Sequence, residues 1–305
     1  MKTFLVVNPQ SANGQTGRRW PELSAQIGRS LGTFNHAFTT GPMDAARLAS
    51  QAIKDGHELV VAVGGDGTVN EVTNGFFEGG KALNASAALG VIPRGTGGDF
   101  RRTFQWEGDI ASSVARLQGA KTQPFDVGLL EYTDPAGKSR TRCFANICSF
   151  GVSGLVDKTV NEGSKVLGGK LSFMLGSARA MLRYKDKKVR VSVDDATAQE
   201  WEITTLAVAN GRYFGGGMCV APHADTQDGL FDVTIWSGYT LLDFALKQKA
   251  MYDGTHLKFP GTRTLKCKSL SAQSDEEVLL DVDGEQPGRL PCRMTVLPGA
   301  IRLKV

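Results

Sequence analysis

The run Val60-Val61-Ala62-Val63-Gly64-Gly65-Asp66-Gly67-Thr68-Val69-Asn70-Glu71 constrains the fold more than any other part of the chain, because strand, glycine turn and helix start follow without a gap. Residues 59 to 63 form a short continuous apolar run, as a strand buried on both faces of a parallel sheet requires. The glycines open a backbone path that side chains would block. Thr68 and Glu71 have capping-box spacing, which predicts a helix whose free amides lie beside the loop, where an anion is favourably held. Asp66 is the odd member. A carboxylate beside a phosphate is repulsive unless a cation lies between them, so the loop suggests a nucleotide bound with magnesium. Taken alone, the same residues also describe an ordinary glycine turn ahead of a capped helix.

Through about residue 120 the chain alternates strand and helix: strands at 4–7, 35–39, 59–63 and 87–92, helices at 18–31, 44–54 and 69–77. That alternation predicts a parallel sheet covered on both faces, with ligands beyond the carboxyl ends of the strands. Three of those ends carry polar, glycine-rich loops: Asn8 to Gly14, Gly64 to Thr68, and Pro93 to Asp99. Beyond about residue 125 come strand-like runs at 125–131, 188–193, 203–209, 230–235, 263–268 and 278–282, with helical patterns at 153–167, 170–183 and 240–250. This texture predicts a mostly antiparallel second domain. The expected units are 1–125 and 126–288, with the tail at 289–305 returning to the first.

Composition narrows the class. The 305 residues are 41% hydrophobic, enough for two globular cores. No apolar run approaches the length of about 18 residues that crosses a bilayer, and the opening Met1 to Pro9 reads as a first strand rather than a signal sequence, so a soluble protein is expected. The balance of 35 basic against 31 acidic residues leaves +4, too mild to imply nucleic acid. Five scattered cysteines and four histidines show no metal-ligand spacing, which favours a reducing cytoplasm and gives no support to a zinc site.

Six motifs in order resemble one family, the soluble lipid kinases that include bacterial diacylglycerol kinases and, more distantly, sphingosine and ceramide kinases. They are Asn8-Pro9; Gly64 to Glu71; Pro93 to Phe100; Asn210 to Gly217; Ala221 to Asp225 with Asp228 to Val233; and Asp283-Gly284-Glu285. The resemblance spans nearly the whole chain. It implies an α/β N-terminal domain of the NAD kinase and diacylglycerol kinase type, a β-rich lipid-substrate domain, and an active site in the cleft between them. The cofactors implied are ATP and Mg2+. Nucleotide contacts would come from Asn8, Thr39, Gly64, Gly65, Asp66, Gly67, Thr68, Val69, Asn70, Glu71, Gly95 and Thr96. Asp66, Asp99 and Asp126 match carboxylates that hold the catalytic magnesium, mainly through water, and Arg102 matches their basic neighbour. Asp283 matches the general base and Glu285 its partner. A structural magnesium would sit at Asp228, helped by the carbonyls of Asp225 and Leu230. One departure stands out: the family reads Gly-Thr-x-Asn-Asp where this chain has Gly95-Thr96-Gly97-Gly98-Asp99.

The chemistry agrees with those roles. Phosphoryl transfer needs in-line positioning and neutralised charge, and little covalent work from the protein. Val278 to Leu280 would drive a strand inside and Asp283-Gly284 would turn at its end, although the pair is also a plain hairpin turn. The implied partner is a lipid at the membrane surface, with transient peripheral association, no nucleic acid, and a homodimer compatible with the sequence. Arg179, Arg183, Lys185, Lys187, Lys188 and Arg190, after an apolar stripe of Leu171, Met174, Leu175, Ala178 and Leu182, read either as a foot for an anionic membrane or as a solvated face beside a core helix. A kinase for a soluble acceptor such as NAD and a non-catalytic lipid or nucleotide sensor are the other readings.

Overall fold

A computed structural model describes residues 1–95, 97–162 and 184–305. The first half contributes β1 (Thr3–Val7), α1 (Gln15–Arg18), α2 (Trp20–Leu31), β2 (Asn35–Phe38), α3 (Asp44–Lys54), β3 (Leu59–Gly64), α4 (Asp66–Asn74), a small hairpin of β4 (Phe77–Glu78) and β5 (Lys81–Ala82), β6 (Ala88–Pro93), α5 (Asp99–Thr103) and α6 (Ile110–Leu117). Strands pair in parallel in the order β6-β3-β1-β2. Every residue of β3 is buried, as its unbroken apolar run requires. On one face α3 and α4 bury Ala45, Ala49, Val69 and Val72 against Val60 and Ala62. On the other, α2 and α6 set Trp20, Leu23, Ile27 and Val114 on Leu5, Val61 and Ile92, with the apolar residues of α2 at helical spacing.

The second half contributes β7 (Thr122–Thr133), β8 (Ser139–Phe144), β9 (Ile147–Gly151), α7 (Val152–Glu162), β10 (Lys187–Val193), β11 (Gln199–Ile203), β12 (Thr205–Ala209), the pair β13 (Tyr213–Phe214) and β14 (Met218–Cys219), β15 (Phe231–Trp236), α8 (Leu241–Asp253), β16 (Thr262–Cys267), β17 (Ser269–Gln273), β18 (Leu280–Val282) and β19 (Arg289–Lys304). Five of these form an antiparallel sheet, β16-β15-β12-β9-β18. Its inner face meets β7, β10, β17 and β19 across a core that includes Phe150, Leu206, Val233, Leu270 and Met294. The fold class is therefore the expected one, an α/β unit with parallel strands followed by a β-rich unit.

No linker separates the halves. β19 pairs in parallel with β6 through Arg302 and Leu303 and antiparallel with β7 over most of its length, so one ten-stranded sheet runs through both. β7 itself crosses residues 125 and 126.

Several local expectations are corrected. α4 starts at Asp66 with Gly65 as its N-cap, three residues before Val69, so Thr68 and Glu71 are not a capping box. Thr68 Oγ1 instead accepts from Asn8 Nδ2 at 3.1 Å, and Glu71 Oε2 accepts from the Ala45 N–H at 3.1 Å in the first turn of α3. β8 is missing from the strand pattern because Ser139 to Thr141 are polar and exposed and Arg142 is polar but turned inward, leaving no alternation to read, and β9 is missing with it as a short run of five buried residues. The helical pattern at 170–183, with its apolar stripe, Arg179 and Arg183, lies outside the described residues, as does Thr96. Within the remaining basic run, Lys187, Lys188 and Arg190 pair with Glu276, Glu200 and Asp275, as a solvated face does. Among the described residues no helix is long and apolar enough to cross a membrane.

Candidate active site

The loops after β1, β2, β3 and β6 converge on a cavity of about 650 Å3, within the size range of nucleotide and cofactor sites. Asn8, Thr39, Gly65, Asp66, Gly67, Thr68, Glu71 and Gly95 line it, and Glu285 closes it from the second half of the chain. The first amides of a helix have no intrahelical partner, so the start of α4 presents donors and a positive dipole end to this space. Close approach is what the glycines permit. A Cβ on Gly64 would stand 2.3 Å from Thr68 Oγ1, and one on Gly95 2.7 Å from the Gly65 Cα. Arg94 adds a cation to the same wall, a contribution that its position beside the third glycine loop could have signalled. Gly64 and Val69 are buried behind the wall. Asn70 is buried and turned elsewhere.

The three aspartates expected around magnesium occupy two separate networks. Asp66 caps α5: Oδ2 accepts from the Gly98 and Asp99 N–H groups at 2.8 and 3.1 Å, and Oδ1 from Phe100 N–H at 3.1 Å. Asp99 accepts from Gly216 N–H at 2.8 Å and from Arg102 at 2.9 Å, while Arg102 also donates to the Gly97 carbonyl. Burial pushes the Asp99 carboxyl above its ordinary range, against the pull of the Gly216 amide, and the nearby Asp66 charge pushes it further. Asp126 lies in the other network, holding the Gly229 and Gly299 N–H groups at 2.7 and 2.6 Å. Burial raises it too, and its negative neighbours are Asp228 and Asp225 rather than Asp66 or Asp99.

The direct partners of these carboxylates are protein donors, so an ion held through water, as the resemblance implies, would use the lone pairs those donors leave. Each of the three carboxylates is already committed to backbone amides or arginine, and among the described residues no three His, Cys, Asp or Glu side chains are grouped to cage a metal. The loop expected to hold structural magnesium is organised by an ammonium. Lys266 Nζ lies 2.9 Å from Asp228 Oδ2 and 3.1 Å from Asp232 Oδ2, while Asp228 Oδ1 accepts from Leu230 N–H and Asp225 Oδ1 from Gln227 N–H.

Asp283 follows β18 at φ +51, in the turn where Val282 bridges Glu285. Its carboxylate is clasped by the chain entering β9. Oδ2 accepts from Ala145 N–H at 2.9 Å and Asn70 Nδ2 at 2.7 Å, Oδ1 from Ile147 N–H at 2.8 Å, and the Asn146 N–H is shared at 3.1 and 3.4 Å. Burial pushes its carboxyl up to about 6; the Ala145 and Ile147 amides, Asn70 and the Arg142 charge pull the other way. Arg142 escaped the sequence reading with its strand. Its Nη2 reaches Glu285 Oε2 at 2.6 Å and Asn70 Oδ1 at 2.7 Å, joining the buried carboxylate to the one on the cavity wall.

Residues 2–130 match the family model of the diacylglycerol kinase catalytic domain, and residues 146–305 match the YegS C-terminal NAD kinase beta sandwich-like domain. Over 289 residues the chain is 28% identical to the diacylglycerol kinase of Staphylococcus saprophyticus, covering 94% of this chain and 90% of that one. It is 28% identical over 301 residues to the diacylglycerol kinase of Staphylococcus epidermidis, covering 98% and 90%. A solved diacylglycerol kinase from Bacillus anthracis str. Sterne has a TM-score of 0.70 at 22% identity, covering 99% of this chain and 96% of that one. Yeast NADH kinase complexed with NADH has a TM-score of 0.52 at 12% identity, covering 99% and 82%. At those identities both structures show the shared fold alone.

Proposed function

This chain belongs to the lipid kinase family that joins a diacylglycerol kinase catalytic domain to a YegS C-terminal NAD kinase beta sandwich-like domain, and on that premise we propose that it transfers the γ-phosphate of ATP to the hydroxyl of diacylglycerol or a related glycerolipid. The observation that carries the reading is a cavity with glycine loops, the α4 amides and Arg94 on one side and the Glu285 carboxylate on the other. A polyphosphate suits the first side and an acceptor hydroxyl the second. Transfer then depends on holding the two in line and balancing charge. A magnesium ion bound to ATP would supply neutralisation of the phosphate charge, while the glycine loops, the α4 amides and Arg94 would hold the nucleotide. The lipid is met at a membrane surface, from the cytoplasmic side, by a protein that associates transiently.

Asp283 is the proposed proton acceptor and Glu285 its partner. A carboxylate offers about four acceptor sites, and Asp283 has all of them engaged, so one donor must yield. The shared Asn146 contact is the longest and the one most readily released. A carboxyl raised to about 6 by burial is also a better base than an ordinary aspartate. Because Glu285 reaches the cavity with a freer carboxylate, a second reading has Glu285 receive the proton while Asp283 anchors the turn.

The test is magnesium-dependent transfer of labelled γ-phosphate into a panel of lipids in mixed micelles, with NAD as the soluble control. Labelled lipid is expected, and Asp283→Asn should lower kcat by about 100-fold or more while Glu285→Gln costs less. The reverse ranking, with both variants melting like the native protein, exchanges the two roles. Activity should fall as pH drops through about 6, where Asp283 gains its proton. The raised carboxyl has the opposite effect on stability, favouring the folded state at low pH and withdrawing that contribution as pH rises through about 6. Labelled NAD would overturn the lipid reading, and ATP binding without any product would favour a sensor.

A further inference from the structure

Arg142 is nearly buried, its side chain 10% exposed, on a strand that otherwise turns polar residues outward. Its fork serves two acceptors from different parts of the chain: Nη2 donates to Glu285 Oε2 at 2.6 Å, while Nη2 and Nε donate to Asn70 Oδ1 at 2.7 and 3.3 Å. This fixes the Asn70 amide. With its oxygen on the guanidinium, its Nδ2 points to Asp283 Oδ2 at 2.7 Å and to the Cys143 carbonyl at 3.1 Å. The flipped amide would set donors against the guanidinium and an oxygen against a carboxylate.

We propose that Arg142 is the positioning residue of this site, holding Glu285 at the cavity wall and, through Asn70, holding Asp283 in its reactive orientation and charge state. The inference rests on the kinase reading above. Of the groups packed around Asp283, Arg142 on β8 is the cation, pulling its carboxyl down against burial together with the Ala145 and Ile147 amides and Asn70; Asp281 and Glu285 stand two residues away on its own hairpin, and the Cys148 thiol on β9 stays protonated because burial raises it well above its ordinary range. Withdrawing the guanidinium therefore removes its downward pull on the Asp283 carboxyl and leaves burial opposed by fewer partners. Its proton affinity rises, and Asn70 loses the partner that orients it.

Native protein, Arg142→Met, Arg142→Lys, Glu285→Gln and the Met/Gln double variant should be compared in phosphotransfer over a pH series, with thermal melts alongside. Arg142→Met is expected to lower kcat by about 10- to 100-fold and to move the acid limb of the pH profile upward. Arg142→Lys keeps the charge and should restore the native limb, but one ammonium cannot span both acceptors, so kcat recovers only in part. In the Met background Glu285→Gln should add little, because Arg142 acts through that carboxylate. A native acid limb in Arg142→Met, or losses that multiply in the double variant, would overturn the proposal. If Arg142→Met does not fold, Arg142→Gln, which also removes the charge, takes its place under the same limb and coupling criteria. If the native protein transfers phosphate to no lipid and not to NAD, the kinase reading fails separately, and carboxyl-carbon NMR titration of Asp283 still decides whether Arg142 sets its ionisation.

Discussion

Gly98 carries the one departure from the motif, and its backbone explains why the loop survives it. The residue sits at φ +69, donates its N–H to Asp66 and starts α5. Glycine adopts that left-handed conformation freely and asparagine tolerates it, so the two residues are interchangeable for backbone reasons. A Cβ there would meet Arg101 Nε at 2.7 Å, the far part of a side chain able to move. Gly98→Asn is therefore expected to melt close to the native protein, whereas Gly98→Val should lose about 1–2 kcal/mol and weaken ATP binding as the Asp66 cap is displaced. Equal melting and equal ATP affinity for the two variants would show that the left-handed turn does not matter. The missing amide is visible in the sequence; the angle that makes glycine a fair substitute is not.

At the level of elements, side chains distant in sequence tie loops and strands together. Asn74 accepts from Cys143 N–H and donates to its carbonyl, so α4 is joined to β8 across the site. On β16, Lys266 gathers Asp228 and Asp232, and Asp126 ties the 229 turn to the bulge in β19. These two ion pairs are partly exposed, so their contribution is modest. Lys266→Met should lower stability by about 1 kcal/mol by leaving two carboxylates facing each other, and a chelator should not shift the Tm of the native protein. A native Tm that falls with chelator and returns with magnesium would put an ion, rather than the ammonium, between those carboxylates.

Across the whole molecule, β19 joins the two sequence halves in one ten-stranded sheet, which suggests that they fold together. Ile301 and Leu303 belong to the same core as Val60, Ala62 and Leu89, although more than half the chain separates them. Val127 and Cys143 complete that core from the far side of the expected boundary, next to Phe125 at its edge. A fragment of residues 1–125 is therefore expected to show no cooperative melt, because it leaves the β6 edge and one side of the core open. A sharp thermal transition with native-like secondary structure in that fragment would contradict the single-unit reading.

Read from residue order alone, the chain declares its parallel strands, its glycine loops and its carboxylate turn, because buried strands must be apolar and tight turns need glycine. The placement of most cavity-lining residues follows from Asn8, Thr39, Gly65 and Gly95 standing at or just beyond strand ends. The pairings of the aspartates depend on contacts between segments as far apart as Asp126 and Gly299, or Asn70 and Asp283. A carboxylate has the same local signature whether it meets a magnesium ion, a helix N-terminus or a lysine. Which one it meets is set by the long-range packing of the sheets, and so is the arginine that joins the two carboxylates at the candidate site.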